Sequence, residues 1–229
     1  MIEDPPLLQV RRSFTRPGRD VLARFAGVPT GFLVDCMDGK GALDFQIKPL
    51  DRNRSTFVGG ALTCHCGPGD NLALLGALAF SEREDAIVIA TNDFLGLAVL
   101  GDRVAGMARN RGAVALVTDG VVRDTPGLDA AGLPVFCRGV TPNSCMASGP
   151  GTIGLPIVVG GVAVAPGDVV AGDCDGVVVV PASEVNRVLE RLELVRKAET
   201  EMDAEVAAGL AVPGRISDLL GSNRVRFLD

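Results

Sequence analysis

With 229 residues, 47% of them apolar and 22% charged, the chain is long enough to bury one sizeable core. A net charge of −6 argues against a nucleic-acid partner, because such binding rests on clustered cations. No apolar run reaches the ~18 residues of a membrane-spanning helix, so no membrane association is expected.

The start, Met1-Ile2-Glu3-Asp4-Pro5-Pro6, lacks the basic and then apolar stretches of a secretory leader. Six cysteines (Cys36, Cys64, Cys66, Cys137, Cys145, Cys174) lie in apolar segments, as small buried hydrophobes in a reducing compartment do. A cytoplasmic location is therefore expected. Nine Phe with no Tyr or Trp leave Val, Leu, Ile and Ala to build the core.

In chain order, residues 1–18 read as a Pro- and Arg-rich arm. Short helices are expected over Asp20–Ala26 and Thr30–Met37, then a strand over Ser55–Cys66 ending in the turn Gly67-Pro68-Gly69-Asp70. Asp70 or Asn71 caps a helix running to Phe80, since Leu72, Leu74, Leu75 and Leu78 recur near helical spacing. A short strand follows at Ala86–Ala90 and an amphipathic helix at Gly101–Arg111, stopped by Gly112. One strand is expected over Ala113–Val122, and others over Leu133–Val140, Leu155–Val164, Val169–Gly172 and Val177–Val180. Ser183 caps a long helix with an apolar stripe of Val185, Val188, Leu189, Leu192 and Val195. No linker or repeat divides the chain. It reads as one mixed α/β domain over 19–182, with a helical arm over 183–229 that packs on its own or a neighbouring subunit.

Chemistry is densest between Asp93 and Asp124. Gly101-Asp102-Arg103-Val104 opens a helix, and the apolar stretch after it delivers Arg123-Asp124 into a polar loop. Helix N-terminal amides and a guanidinium bind an anionic substrate, while carboxylates hold a hard divalent cation. The bland reading makes Arg123-Asp124 a solvated turn and Asp102 a first-turn acid favoured by the helix dipole. In Cys64-His65-Cys66, alternation along a strand points His65 away from both thiols, so a shared ion is not expected. Asp173-Cys174-Asp175-Gly176 reads as a structural turn, since the downstream acidic ligand of a calcium loop is missing.

Several stretches resemble one family. They are Pro68-Gly69-Asp70-Asn71, Gly101-Asp102-Arg103-Val104, Asp119-Gly120-Val121-Val122-Arg123-Asp124 and Pro134-Val135-Phe136. The likeness continues in Gly139-Val140-Thr141-Pro142-Asn143-Ser144, Pro166-Gly167-Asp168 and Gly172-Asp173-Cys174-Asp175-Gly176. The chain thus resembles, over about Pro29–Glu201, the family of 4-hydroxy-4-methyl-2-oxoglutarate aldolase and the regulator of ribonuclease E activity. The resemblance implies a ββα sandwich of the swivelling-domain type, assembled as a homotrimer or homohexamer. It implies a divalent-metal-dependent lyase that releases pyruvate from 4-hydroxy-2-oxo diacids, often with oxaloacetate decarboxylation as a second activity. By motif, Asp124 binds the metal, partly through waters. Arg123 meets the keto or enolate oxygen, and Gly101, Asp102, Arg103 and Val104 hold the pyruvyl carboxylate, with Asp102 beside the metal's water.

The residue inventory agrees in part. Cleavage to a pyruvate enolate needs an electron sink, either a lysine Schiff base or a metal. The three lysines are Lys40, Lys48 and Lys197, and only Lys48 falls in a strand-like stretch, with nothing nearby to activate it. With His65 the single histidine, a His-rich zinc site is excluded, and a carboxylate-and-water site suits Mg²⁺ or Mn²⁺. Many relatives carry a lysine just after the Thr-Pro-Asn-Ser element; here Ala147 lies in that stretch, leaving the substrate's far half open. Glu199 or Glu201 matches a glutamate that a neighbouring subunit contributes in some relatives. Two alternatives stand: a protein-binding ribonuclease regulator without catalysis, and a related lyase for another 2-oxo acid.

Overall fold

The computed structural model describes residues 6–228. Chain order begins β1 (Leu8–Val10), α1 (Arg19–Phe25), α2 (Thr30–Cys36), β2 (Lys48–Pro49), β3 (Phe57–His65), α3 (Leu72–Ala77) and β4 (Asp85–Ala90). It continues with β5 (Ala98–Leu100), α4 (Asp102–Arg111), β6 (Ala115–Thr118), β7 (Val121–Val122), α5 (Thr125–Ala131), β8 (Val135–Cys137) and β9 (Gly139–Val140). The last elements are β10 (Gly151–Ile153), β11 (Ile157–Val159), β12 (Val162–Val164), β13 (Val169–Gly172), β14 (Val177–Val180), α6 (Val185–Ala207) and α7 (Gly214–Leu220).

The near-continuous apolar runs of β3, β4, β6 and β8 pair in parallel, as strands buried on both faces do. Alternation along them splits the interior in two. Leu62, Cys64, Ile87, Ile89 and Leu116 pack under α3, α4 and α5. Ala61, Val88, Val117 and Phe136 face the β11–β12 hairpin. On the β13–β14 ribbon, Val170, Val177 and Val179 join that second cluster. Val169, Ala171, Val178 and Val180 turn the other way, onto α1, α2 and α6.

Three long apolar stretches divide where single strands were expected. Ala113–Val122 breaks at Asp119-Gly120 into β6, in the large sheet, and β7, in a second sheet of order β5-β7-β9. The break has a cause: buried Asp119 accepts from Thr91 N and Thr91 Oγ1 at 2.7 and 2.8 Å, drawing its backbone across to the end of β4. Leu133–Val140 divides the same way into β8 and β9, and Leu155–Val164 folds as the β11–β12 hairpin around Gly160-Gly161. An apolar run does not itself say whether the chain stays in one sheet.

Other departures are local. Helix α5 was not expected, since a polar loop was anticipated at Arg123-Asp124. Pro126 is tolerated in the first turn, and Gly132 (φ 70°) ends the helix in the left-handed region. Strands β1, β5 and β10 were also unexpected. Residues 8–10 of the N-terminal segment pair in parallel with β10. Ser183 lies inside a 3-10 turn, and no side chain caps α6.

Four cysteines are buried as expected, but Cys174 is exposed and Cys145 half-buried, and all six are free. Burial pushes the Cys137 thiol up to about 11, while the hydrogen bond to Cys66, with burial, raises Cys64. A disulfide-exchange reagent at pH 8 is therefore expected to label Cys174 fast and Cys145 slowly. The buried four should react only on unfolding. Fast reaction of three or more thiols would contradict this packing.

Candidate active site

The second sheet explains why residues 22 apart in sequence meet. Strands β5 and β7 lie side by side in parallel, with Leu100 paired to Val122. The next residue on each strand is then adjacent, and Arg123 N donates to Leu100 O at 3.1 Å. Each strand ends in a helix, so Gly101-Asp102 opens α4 beside Arg123-Asp124, which opens α5. Ligands favour this place, just beyond the carboxyl ends of parallel strands. Strand β9 joins β7 and sends 141–145 back along β5, where Ala98 N donates to Asn143 O at 3.0 Å.

A cavity of about 540 Å³ opens at this junction, lined by Gly101, Asp102, Arg103, Val104, Arg123 and Asp124. Every site residue expected from sequence is thus brought together. Gly101 is extended (φ −140°, ψ −166°), and the first intrahelical bond runs from Ala105 N to Gly101 O at 3.2 Å. The amides ahead of it have no intrahelical acceptor. Arg103 N is occupied, since it donates to Asp102 Oδ1 at 2.7 Å. Anion binding at this end then falls to the neighbouring amides. The Arg103 side chain is exposed and Val104 is buried in the core.

Asp124 sits in the left-handed region (φ 61°, ψ 44°), unusual for a residue other than glycine, and its side chain caps nothing although it precedes α5. Its Oδ2 lies 3.3 Å from Arg123 Nε, both side chains being partly exposed. Two glycines give the carboxylates room. A Cβ at Gly101 would stand 2.4 Å from Asp124 Oδ2, and one at Gly127 2.6 Å from Asp102 Oδ2. Two carboxylates in one cavity, one of them paired with Arg123 and no imidazole in the lining, form an oxygen donor set suited to a hard cation.

The cavity also contains residues that the sequence did not mark as functional: Asn71, Leu75, Met107, Ser144 and Cys145. Asp70 supplies the cap, accepting from Leu72 N at 2.8 Å through Oδ1, while its Oδ2 accepts from Gly149 N at 3.0 Å and braces the 146–149 loop. The Asn71 side chain caps nothing. The tight motif Pro68-Gly69-Asp70-Asn71 was the available signal for this wall. Ala147 is exposed and does not line the cavity, nor do Glu199 and Glu201 on α6. Glu201 lies 3.8 Å from Lys197. Lys48 donates to Asp175 O, and His65 lies 2.9 Å from Asn92 Oδ1, both away from the cavity. The cluster Asp173-Cys174-Asp175 is a brace: Asp173 accepts from Thr30 N, Thr30 Oγ1 and Asp175 N at 2.8 to 2.9 Å.

Parallel strands, paired helix starts and a cavity lined by two aspartates and two arginines make this an α/β protein with a polar cavity at its strand ends. The chain matches the RraA-like family model, described as Aldolase/RraA, over residues 30–179, and it belongs to that family. A protein of Halalkalibacterium halodurans named "Putative 4-hydroxy-4-methyl-2-oxoglutarate aldolase" is 40% identical over 172 residues, 75% of this chain and 81% of that one. Among solved structures, RraAS2 of Streptomyces coelicolor, described as an unusual member of the RNase ES inhibitor RraA family, superposes with a TM-score of 0.75. It is 24% identical, covering 83% of this chain and all of its own. The RNA-processing inhibitor RraA of Thermus thermophilis gives a TM-score of 0.62 at 27% identity, covering 67% and 93%. No helix among the described residues is long and apolar enough to cross a membrane.

Proposed function

We propose that the chain is a divalent-metal-dependent carbon–carbon lyase that releases pyruvate from 4-hydroxy-2-oxo diacids such as 4-hydroxy-4-methyl-2-oxoglutarate, and that it also decarboxylates oxaloacetate. The observation that carries this reading is the convergence of Asp102, Arg123 and Asp124 on one cavity at the start of α4. The 40% identical relative named for that aldolase supports it.

Asp124 would hold the cation, Mg²⁺ or Mn²⁺, with Asp102 facing its hydration shell. Bound there, the cation supplies a Lewis acid for the 2-oxo acid. The free amides at the start of α4 hold the substrate carboxylate. Arg123 faces the C2 oxygen, where negative charge grows as the C3–C4 bond breaks and its electron pair passes toward that oxygen. Asp102 would orient the water that takes the C4 hydroxyl proton; C4 departs as a carbonyl compound, and the same water returns that proton to C3 of the enolate to give pyruvate. The swivelling ββα architecture and a homotrimer or homohexamer belong to the same reading. Exposed Leu194, Met202, Val206, Leu219 and Leu220 on α6 and α7 support burial between subunits.

Coupled to lactate dehydrogenase, the purified protein is expected to release pyruvate from 4-hydroxy-4-methyl-2-oxoglutarate and from oxaloacetate with Mg²⁺, and to stop with chelator. Absence of Mg²⁺-dependent pyruvate from both, and from 4-carboxy-4-hydroxy-2-oxoadipate, would sink the lyase. The alternative suggested by the solved relatives described as RNA-processing inhibitors, a ribonuclease regulator, would then take its place.

A further inference from the structure

Asn71 stands where a helix cap belongs, but Asp70 Oδ1 has taken that role. Its carboxamide turns instead to Val99, with Nδ2 donating to Val99 O at 3.2 Å. A carbonyl oxygen only accepts, so the nitrogen must be the atom facing it. That leaves one N–H of Nδ2, and Oδ1, without a hydrogen-bond partner among the described residues. The side chain is half-buried and lines the same cavity as Arg123 and Asp124. Spare hydrogen-bonding capacity on a fixed polar group inside a pocket is what orients and selects a ligand.

We propose that Asn71 is a substrate-orienting residue, its remaining N–H donating to an oxygen carried on C4 of the 2-oxo acid. The inference rests on the lyase reading above and names how that site grips the half of the substrate that leaves. An N–H donor suits this oxygen throughout the reaction, because hydroxyl and carbonyl both offer a lone pair. The hydroxyl proton stays available to the base. The C4 carboxylate of oxaloacetate presents the same acceptor. Pyruvate ends at C3 and offers Asn71 nothing.

That difference separates orientation from simple support. Val99 lies two residues before Gly101, so a mere strut at Val99 O would, on loss, weaken every ligand of the site together. The test uses Asn71→Asp, isosteric but without the donor, and Asn71→Leu. It measures kcat/KM on 4-hydroxy-4-methyl-2-oxoglutarate and oxaloacetate, with the Kd for pyruvate taken by calorimetry in Mg²⁺. Both kcat/KM values should fall about tenfold or more while pyruvate Kd stays within about twofold of the parent. Retained pyruvate binding also shows that the variants are folded. A parallel weakening of pyruvate in both variants, or parent-like kcat/KM, overturns the inference. Failure of the parent to turn over either substrate overturns the lyase reading and this inference together. Turnover by the parent with unaffected variants removes this inference alone.

Discussion

Replacing Arg123 by alanine is expected to lower kcat on 4-hydroxy-4-methyl-2-oxoglutarate by about 10²–10³-fold, or about 2.7–4 kcal/mol of barrier. The argument is electrostatic. Arg123 is held at the end of β7 by its backbone bond to Leu100 O, and its guanidinium stands beside Asp124 at the mouth of the cavity. Charge that appears on the substrate only as the bond breaks is stabilised by a cation already in place, so the loss should fall on kcat more than on KM. Arg123→Lys should recover only part of the rate, because an ammonium keeps the charge but not the planar fork of donors. Asp124→Ala should make the remaining activity indifferent to Mg²⁺. Arg123→Ala with a parental kcat would place the chemistry elsewhere in the molecule.

The second large effect concerns stability. Arg16→Ala is expected to cost about 3 kcal/mol, within the ~3–5 kcal/mol typical of leaving one partner of a buried pair uncompensated. Asp85 is 1% exposed at the start of β4. Arg16 grips it with two bonds, Nε to Oδ1 at 2.8 Å and a terminal nitrogen to Oδ2 at 3.0 Å, and also donates to Phe80 O at 2.9 Å. Burial is the largest single influence and works against the guanidinium charge, but the hydrogen bond to Asp85 and the charges of Asp85 and Glu82 together outweigh it and raise the Arg16 pKa. The guanidinium also lies over the Phe14 ring, 4.3 Å from its centroid.

This pair straps the N-terminal segment to the sheet. Close backbone approach there needs glycine: a Cβ at Gly167 would meet Thr15 O at 2.0 Å. For a chain of this size the loss should lower Tm by roughly 6–12 °C. The value expected is at the low end because Arg16 keeps some access to water, and Glu82 N still donates to Asp85 Oδ2 at 2.8 Å. Replacing both partners at once, as in Arg16→Met with Asp85→Leu, should recover much of the Tm, since the uncompensated charge is gone. A melting temperature of Arg16→Ala within about 2 °C of the parent would show that the pair does not hold the strap.

The sequence by itself determined the local pieces. Helical spacing and Gly112 located α4, apolar runs located β3, β4, β13 and β14, and chemistry-bearing residue types marked Gly101-Asp102 and Arg123-Asp124. These are one-dimensional properties, set by nearest neighbours and by alternation, so they can be read before any fold is known. Partition between sheets was decided only in three dimensions. Whether Val121-Val122 continues β6 or starts a second sheet depends on the buried carboxylate of Asp119 and on Thr91, 28 residues earlier. That choice brings Leu100 beside Val122 and turns two distant motifs into one site. The role of Asn71 lay beyond the sequence for the same reason. A carboxamide at a helix start looks like a cap until tertiary structure shows that Asp70 has taken the helix amide and Val99 O the side-chain nitrogen. Hydrogen-bond competition among residues far apart in sequence is settled by packing, and packing is what a linear pattern does not contain.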